Sequence, residues 1–163
     1  MVYLQYPVFI LILHTEIHFF MGRILAIDYG KKRVGLAVTD ELQIIATGLD
    51  TVLTHEIIPY LKKYLNDNLV DCFVVGLPMR MHFEEPEIEK SITTFLNGLR
   101  NAFPKIPVER YDERFTSKMA FQTMIDSGLN KTDRKNKALV DKISATIILQ
   151  SYMEFRENKH NQL

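Results

Sequence analysis

The chain of 163 residues has the length of one globular domain, and its hydrophobic fraction of 47% and charged fraction of 25% are those of an ordinary folded protein. These values argue against intrinsic disorder and against two full domains. The formal net charge is zero, so a nucleic-acid partner would have to be bound by local basic patches. The single cysteine, Cys72, excludes an intramolecular disulfide, and its apolar neighbours predict a core thiol in a reducing cytoplasm.

The first 20 residues differ in composition from the rest of the chain. Their apolar stretch over residues 8–13 is too short to span a bilayer, and no Lys or Arg precedes it as in a signal peptide. Export and membrane association are therefore not expected. Met21 directly precedes the first clear strand pattern, so we expect residues 1–20 to be a non-native or disordered leader, residues 21–158 to form the single domain and residues 159–163 to be a tail.

From Arg23 onward, strand and helix patterns follow one another. Three β-rich segments, at about residues 24–28, 33–39 and 44–52, are separated by turn signals and predict an antiparallel meander. The later patterns predict helices at about 55–66, with Thr54 as N-cap, and at 85–101, 117–127 and 136–157, with strands at "CFVVGLP" and "PVERYDE". This order predicts an α/β fold with a mixed five-stranded sheet flanked by helices.

Two acidic residues end predicted strands. Asp28 ends the apolar run Ile-Leu-Ala-Ile, where it is either a turn former before Tyr29-Gly30 or a metal ligand at the end of a buried strand. Glu113 ends the strand in "PVERYDE" and is either a ligand or a surface partner of Arg114. The functional crevice of an open α/β sheet lies at the carboxyl ends of its strands, so we expect the two carboxylates to meet there.

A third acidic residue, Asp141, lies in the last predicted helix on the same face as Ser144, Ala145 and Ile148. One interpretation is an acidic residue favoured in the first turns of its helix. The other is a partner of a cation or of a hydrogen-bond donor, because burial of an unpaired carboxylate costs several kcal/mol. Three carboxylates in one cleft match the oxygen ligands of two divalent cations about 4 Å apart, which activate water and stabilise the leaving oxygen of a phosphodiester.

Basic residues flank this predicted acidic cleft. Such runs are commonly solvated loops, but beside an acidic cleft they favour a groove that follows a nucleic-acid backbone. The residues concerned are Lys31, Lys32 and Arg33 after Asp28, and Lys131, Arg134, Lys135 and Lys137 before Asp141.

Four segments, "ILAIDYGKKRVGLAVTD", "VVGLP", "YDERFTS" and "KALVDKISATIILQSYM", resemble the signature segments of the YqgF family of RNase-H-like nucleases, also called RuvX. The resemblance covers residues 21–157. It implies an RNase-H-like fold and a cytoplasmic bacterial nuclease with Asp28, Glu113 and Asp141 as ligands of Mg²⁺ or Mn²⁺. We also expect Arg114, next to Glu113, among the nucleic-acid contacts. After Gly76-Leu77-Pro78, the segment "MRMHFEEPE" lacks the glycine usual in the family, which affects the expected loop shape and no metal ligand.

The resemblance leaves the substrate open between precursor 16S ribosomal RNA, matured at its 5′ end, and a Holliday junction. A junction resolvase favours a two-fold dimer, whereas an RNA-trimming enzyme can act as a monomer. Two alternatives come from functional classes other than nucleases, and the stronger of them is a non-cleaving nucleic-acid-binding module. "IDYG" with "GLAV" also resembles the phosphate-binding opening of sugar kinases and actin-like ATPases, but those folds need a duplicated domain, for which the chain is too short.

Overall fold

The structure is a computed structural model that describes residues 22–77, 86–112 and 136–160. Its strands are β1 Arg23–Tyr29, β2 Arg33–Thr39, β3 Ala46–Leu53, β4 Val70–Leu77 and β5 Val108–Asp112. Its helices are α1 Ile57–Asp67, α2 Pro86–Ala102 and α3 Lys137–His160, with one 3₁₀ turn at Thr54–Glu56 before α1. The leader, the helix predicted over residues 117–127, and Glu113, Arg114, Lys131, Arg134 and Lys135 lie outside the described residues.

The five strands form one mixed sheet, as the sequence predicts, and their order in it is β3-β2-β1-β4-β5. The pairs β1–β2 and β2–β3 are antiparallel because short turns connect them, and they form the predicted meander. The pairs β1–β4 and β4–β5 are parallel, and α2 carries the chain from β4 to β5. The carboxyl ends of β1, β4 and β5 therefore lie at the same edge of the sheet.

Each face of the sheet has its own hydrophobic core, because side chains alternate between the two faces along every strand. One face, which includes Leu25, Ile27 and Phe73, packs against α1 and α2. The other packs against α3, and its core consists of Ile24, Ala26, Ala37, Cys72, Val74 and Tyr111 of the sheet and Ala145, Ile148, Leu149 and Tyr152 of α3. Cys72 is a buried free thiol, as predicted. Within the described residues no helix is both long and apolar enough to cross a membrane.

The prediction that Thr54 caps the first helix was wrong. Thr54 begins the 3₁₀ turn, α1 starts at Ile57, and no side-chain hydrogen bond caps either start in this described part of the chain. The Thr54 hydroxyl instead donates a 2.8 Å hydrogen bond to the carbonyl of Gly30, and its N–H donates to the carbonyl of Lys32 at 3.2 Å. Thr54 therefore fixes the β1–β2 turn against the start of α1.

Two element boundaries also differ from the sequence pattern. The strand predicted from residue 44 begins at Ala46, because the carboxylate of Asp40 accepts hydrogen bonds from the N–H groups of Ile44 and Ile45, both at 2.7 Å, and so holds them in the β2–β3 turn. At the other end of the chain, α3 continues three residues past the predicted end at residue 157, to His160.

Candidate active site

Asp28 is a strand residue at the carboxyl end of β1. The strand continues through Tyr29, and the turn that follows is closed by the N–H of Gly30, which donates to the carbonyl of Arg33 at 3.0 Å. The turn-former interpretation of Asp28 is therefore wrong. Asp28 shares the face of β1 that packs against α3, whereas the neighbouring Tyr29 stacks on Phe95 of α2 with ring centroids 4.5 Å apart.

The absence of a side chain at Gly35 lets the backbone of Asp141 pack beside Asp28. The register pairs Asp28 with Gly35 of β2, and a Cβ added to Gly35 would collide with the carbonyl group of Asp141. The backbone of α3 thus packs directly on the strand position beside Asp28, in the second turn of the helix. An isolated glycine within a strand is a known sign of close backbone approach, so "RVGLAV" carried a signal for this contact.

Burial and the charge of Asp141 act on the carboxyl group of Asp28. Burial, which is the larger cause, and the nearby charge of Asp141 together raise the pKa of Asp28 from 3.8 to about 6. The ionised form of Asp28 is therefore disfavoured, and a cation between the two groups would favour it again.

The chemistry of this pair suits a hard divalent cation. Mg²⁺ is commonly held by one or two carboxylates together with water and substrate phosphates, and Asp28 and Asp141 supply two such groups at one cleft. No set of three His, Cys, Asp or Glu side chains comes together in the part of the chain that the structure describes. Glu113, the third expected ligand, follows Asp112, the last residue of β5.

Arg33, expected to contact phosphate, is bound to Asp141 in the structure. Its Nε donates a hydrogen bond of 2.7 Å to Oδ2 of Asp141, and the two side chains keep 35% and 26% of their surface exposed. The apolar helix face predicted a cation or a hydrogen-bonding partner for Asp141, and this ion pair provides one. Its members are 108 positions apart in the chain, so no local pattern could identify them.

The other described basic residues lie near the same end of the sheet. Lys31 and Lys32 are exposed in the turn between β1 and β2, and Lys137 is exposed at the first position of α3, one turn before Asp141. The start of α3 is fixed to the sheet, because the hydroxyl of Thr51 in β3 donates to the carbonyl of Ala138 at 2.7 Å. Along the chain, these lysines follow Asp28 within four residues or precede Asp141 by four.

The family model RuvX, described as Holliday junction resolvase, matches residues 22–155. The chain belongs to the RuvX family. The matched region of this RuvX protein includes Asp28, Glu113 and Asp141.

Two curated relatives match nearly over their full length, and both carry the name "Putative pre-16S rRNA nuclease". The relative from Phocaeicola vulgatus is 58% identical over 137 residues, which make up 84% of this RuvX chain and 99% of that protein. The relative from Bacteroides fragilis strain ATCC 25285 is 54% identical over 134 residues, which make up 82% of this chain and 97% of that protein.

Among solved structures, Thermus thermophilus RuvC in complex with a Holliday junction superposes on this RuvX chain with a TM-score of 0.53. The sequences are 13% identical, and the match covers 83% of this chain and 96% of RuvC. At that identity the likeness concerns the fold, and it confirms the RNase-H-like α/β fold that the signature segments imply.

Proposed function

We propose that this protein is a divalent-metal-dependent nuclease that hydrolyses phosphodiester bonds in precursor 16S ribosomal RNA, in the cytoplasm. The observation that carries the proposal is the meeting of two carboxylates, Asp28 with its raised pKa and Asp141, at the carboxyl edge of an RNase-H-like sheet. The names of the two relatives, which match almost end to end, support RNA as the substrate.

Asp28, Asp141 and Glu113 are the residues that would hold Mg²⁺ or Mn²⁺. When bound, such ions, two of them with substrate present, supply an activated water and stabilise the leaving oxygen of the phosphodiester. Asp28 is held by its strand, and Asp141 is held by the contact of its helix with Gly35, so the two ligands need little reorganisation. In the sequence, Glu113 directly follows Asp112, which ends β5 at the edge where Asp28 lies.

The basic residues complete the proposed site. Lys31, Lys32 and Lys137 lie beside the carboxylates, where they would bind phosphates on either side of the scissile bond. In this proposal the same role belongs to Arg33, Arg114, Lys131, Arg134 and Lys135. Because phosphate contacts carry no base information, substrate choice would depend on the shape of the RNA around the cleavage point.

A second candidate function is junction resolution, which the description of the matching family model favours. Such an enzyme must cut two symmetric strands and so would act as a two-fold dimer. A monomer that trims RNA has no such requirement. The oligomeric state measured by light scattering, together with cleavage, therefore separates the two functions.

The test compares cleavage of precursor 16S RNA and of a four-way DNA junction by the purified protein in Mg²⁺ or Mn²⁺. We expect trimming of the RNA that requires the cation and is lost in Asp28→Asn and in Asp141→Asn. Asp67→Asn, an exposed position at the end of α1, is the matched control and should cleave like the wild type. Symmetric cutting of the junction alone would assign the resolvase function, and binding without cleavage of either substrate would assign the non-cleaving module.

A further inference from the structure

The ion pair between Arg33 and Asp141 places a guanidinium on a carboxylate that the proposed function assigns to a cation. At 2.7 Å the Nε–Oδ2 hydrogen bond has the short length of a charge-assisted bond. Both side chains are partly exposed, so the pair lies near the surface and not in either core. Arg33 and a divalent ion are therefore competitors for the same oxygen of Asp141.

The two members of the pair differ in their freedom to move. Asp141 is fixed through its backbone, because α3 packs on Gly35 and the bond from Thr51 holds the start of the helix. Arg33 is the first residue of β2, it directly follows the exposed Lys32 of the turn, and its long side chain is partly exposed. When the pair opens, Arg33 is the member that moves.

A nucleic-acid backbone offers Arg33 a better partner. A guanidinium can bind a phosphate through two parallel hydrogen bonds. The guanidinium of Arg33 bonds to Asp141 through Nε. The lysines of the turn would bring phosphates to this position. Transfer of Arg33 to a phosphate would remove a positive charge from Asp141 and free Oδ2 at the moment when substrate is present.

We propose that Arg33 is a switch that couples substrate binding to cation binding: it neutralises Asp141 in the free protein and moves to a backbone phosphate of bound nucleic acid, which releases Asp141 for the divalent cation. This rests on the proposed function, since it requires Asp141 to be a metal ligand. Coupling of this kind is reciprocal, so nucleic acid tightens cation binding and the cation tightens nucleic-acid binding by the same factor.

The test measures Mn²⁺ binding directly, by the electron paramagnetic resonance signal of free Mn²⁺, with no activity readout. The proteins are the wild type, Arg33→Gln, Arg33→Lys and the control Lys63→Gln, which removes an exposed positive charge on α1 far along the chain from the cleft. Each is titrated alone, with a hydrolysis-resistant phosphorothioate RNA oligonucleotide, and with a four-way DNA junction. The RNA and DNA arms identify which backbone supplies the phosphate.

We expect Arg33→Gln to bind Mn²⁺ about tenfold more tightly than the wild type in the absence of nucleic acid, within the usual range of coupling between sites. Nucleic acid should tighten Mn²⁺ binding to the wild type and to Lys63→Gln, and change it little in Arg33→Gln. Arg33→Lys should lie between, because it keeps the charge and loses the planar guanidinium. Misfolding cannot produce this result, since it would weaken binding.

Two results would overturn the proposal, and they differ. In the first, the wild type binds Mn²⁺ and Arg33→Gln binds it equally weakly or more weakly. Arg33 then positions Asp141 and is no switch, while the proposed function stands. If none of the four proteins binds Mn²⁺ even with nucleic acid present, the metal assignment fails, and the proposed function fails with it.

Discussion

Replacement of Asp28 by Asn should stabilise the protein at neutral and alkaline pH when divalent cations are removed. The pKa of Asp28 is raised to about 6 in the folded protein from 3.8. Between these two pH values the folded state binds more protons than the unfolded state, so the stability of the wild type falls as pH rises through this window. At about 1.4 kcal/mol for each pH unit, ionised Asp28 costs the folded state up to about 3 kcal/mol above pH 6.

Asparagine has nearly the same shape and cannot ionise, so the variant avoids that cost. For a chain of this length about 1 kcal/mol corresponds to 2–4 °C in melting temperature. In EDTA at pH 8 we therefore expect Asp28→Asn to melt up to about 10 °C above the wild type, and at pH 4 the two should melt within about 2 °C of each other. Added Mg²⁺ should stabilise the wild type more than the variant, because a ligand stabilises the folded state only as far as it binds to it.

The assay is thermal unfolding followed by circular dichroism from pH 4 to 8, with and without Mg²⁺. Asp67→Asn serves as the control, since it makes the same substitution at an exposed position at the end of α1. A variant that melts at or below the wild-type temperature at pH 8 in EDTA would refute the electrostatic reasoning about Asp28.

Gly35→Ala should lower cleavage strongly and destabilise the fold by about 1–3 kcal/mol, because its Cβ would push α3 off the sheet. Gly98→Ala in α2, where an added Cβ meets no atom within 4 Å, should stabilise the protein by about 0.5–1 kcal/mol. Equal melting temperatures for the two variants would contradict the close approach of α3 to Gly35. Thr54→Val should cost about 1 kcal/mol in urea unfolding through loss of its hydroxyl bond to the β1–β2 turn, and no loss would mean that this bond contributes nothing. Lys32→Ala combined with Lys137→Ala should flatten the dependence of log binding constant on log salt by about 1 to 2, measured by fluorescence anisotropy with RNA, and an unchanged slope would remove both lysines from the phosphate path.

Most of the fold follows from local patterns. Alternating and continuous apolar runs bounded by turn residues predict each of the five strands, and the short turn after Tyr29 predicts an antiparallel neighbour. The errors have specific causes in side chains. The carboxylate of Asp40 holds the N–H of Ile44 in the turn, so β3 begins later than predicted. The hydroxyl of Thr54 donates its hydrogen bond to the β1–β2 turn and does not cap the helix that follows.

The candidate site was predictable in part. The position of Asp28 after a buried strand and that of Asp141 on an apolar helix face can be read locally, and the structure brings them together. The identity of the partner of Asp141 could not be read, because Arg33 is 108 positions away and its sequence context predicts only a basic turn. Glu113 lies outside the described residues, so its role stays a prediction.

The candidate site combines a residue of β1 with a residue of α3, so it can form only after α3 has been synthesised. Asp28 is synthesised early, together with the meander, whereas Asp141 follows only after every strand of the sheet has been made. A chain whose translation stops before α3 therefore carries one carboxylate without the other. On the proposed function, an unfinished chain still attached to a ribosome would be unable to cut RNA, and activity would begin only after the last helix has packed on Gly35.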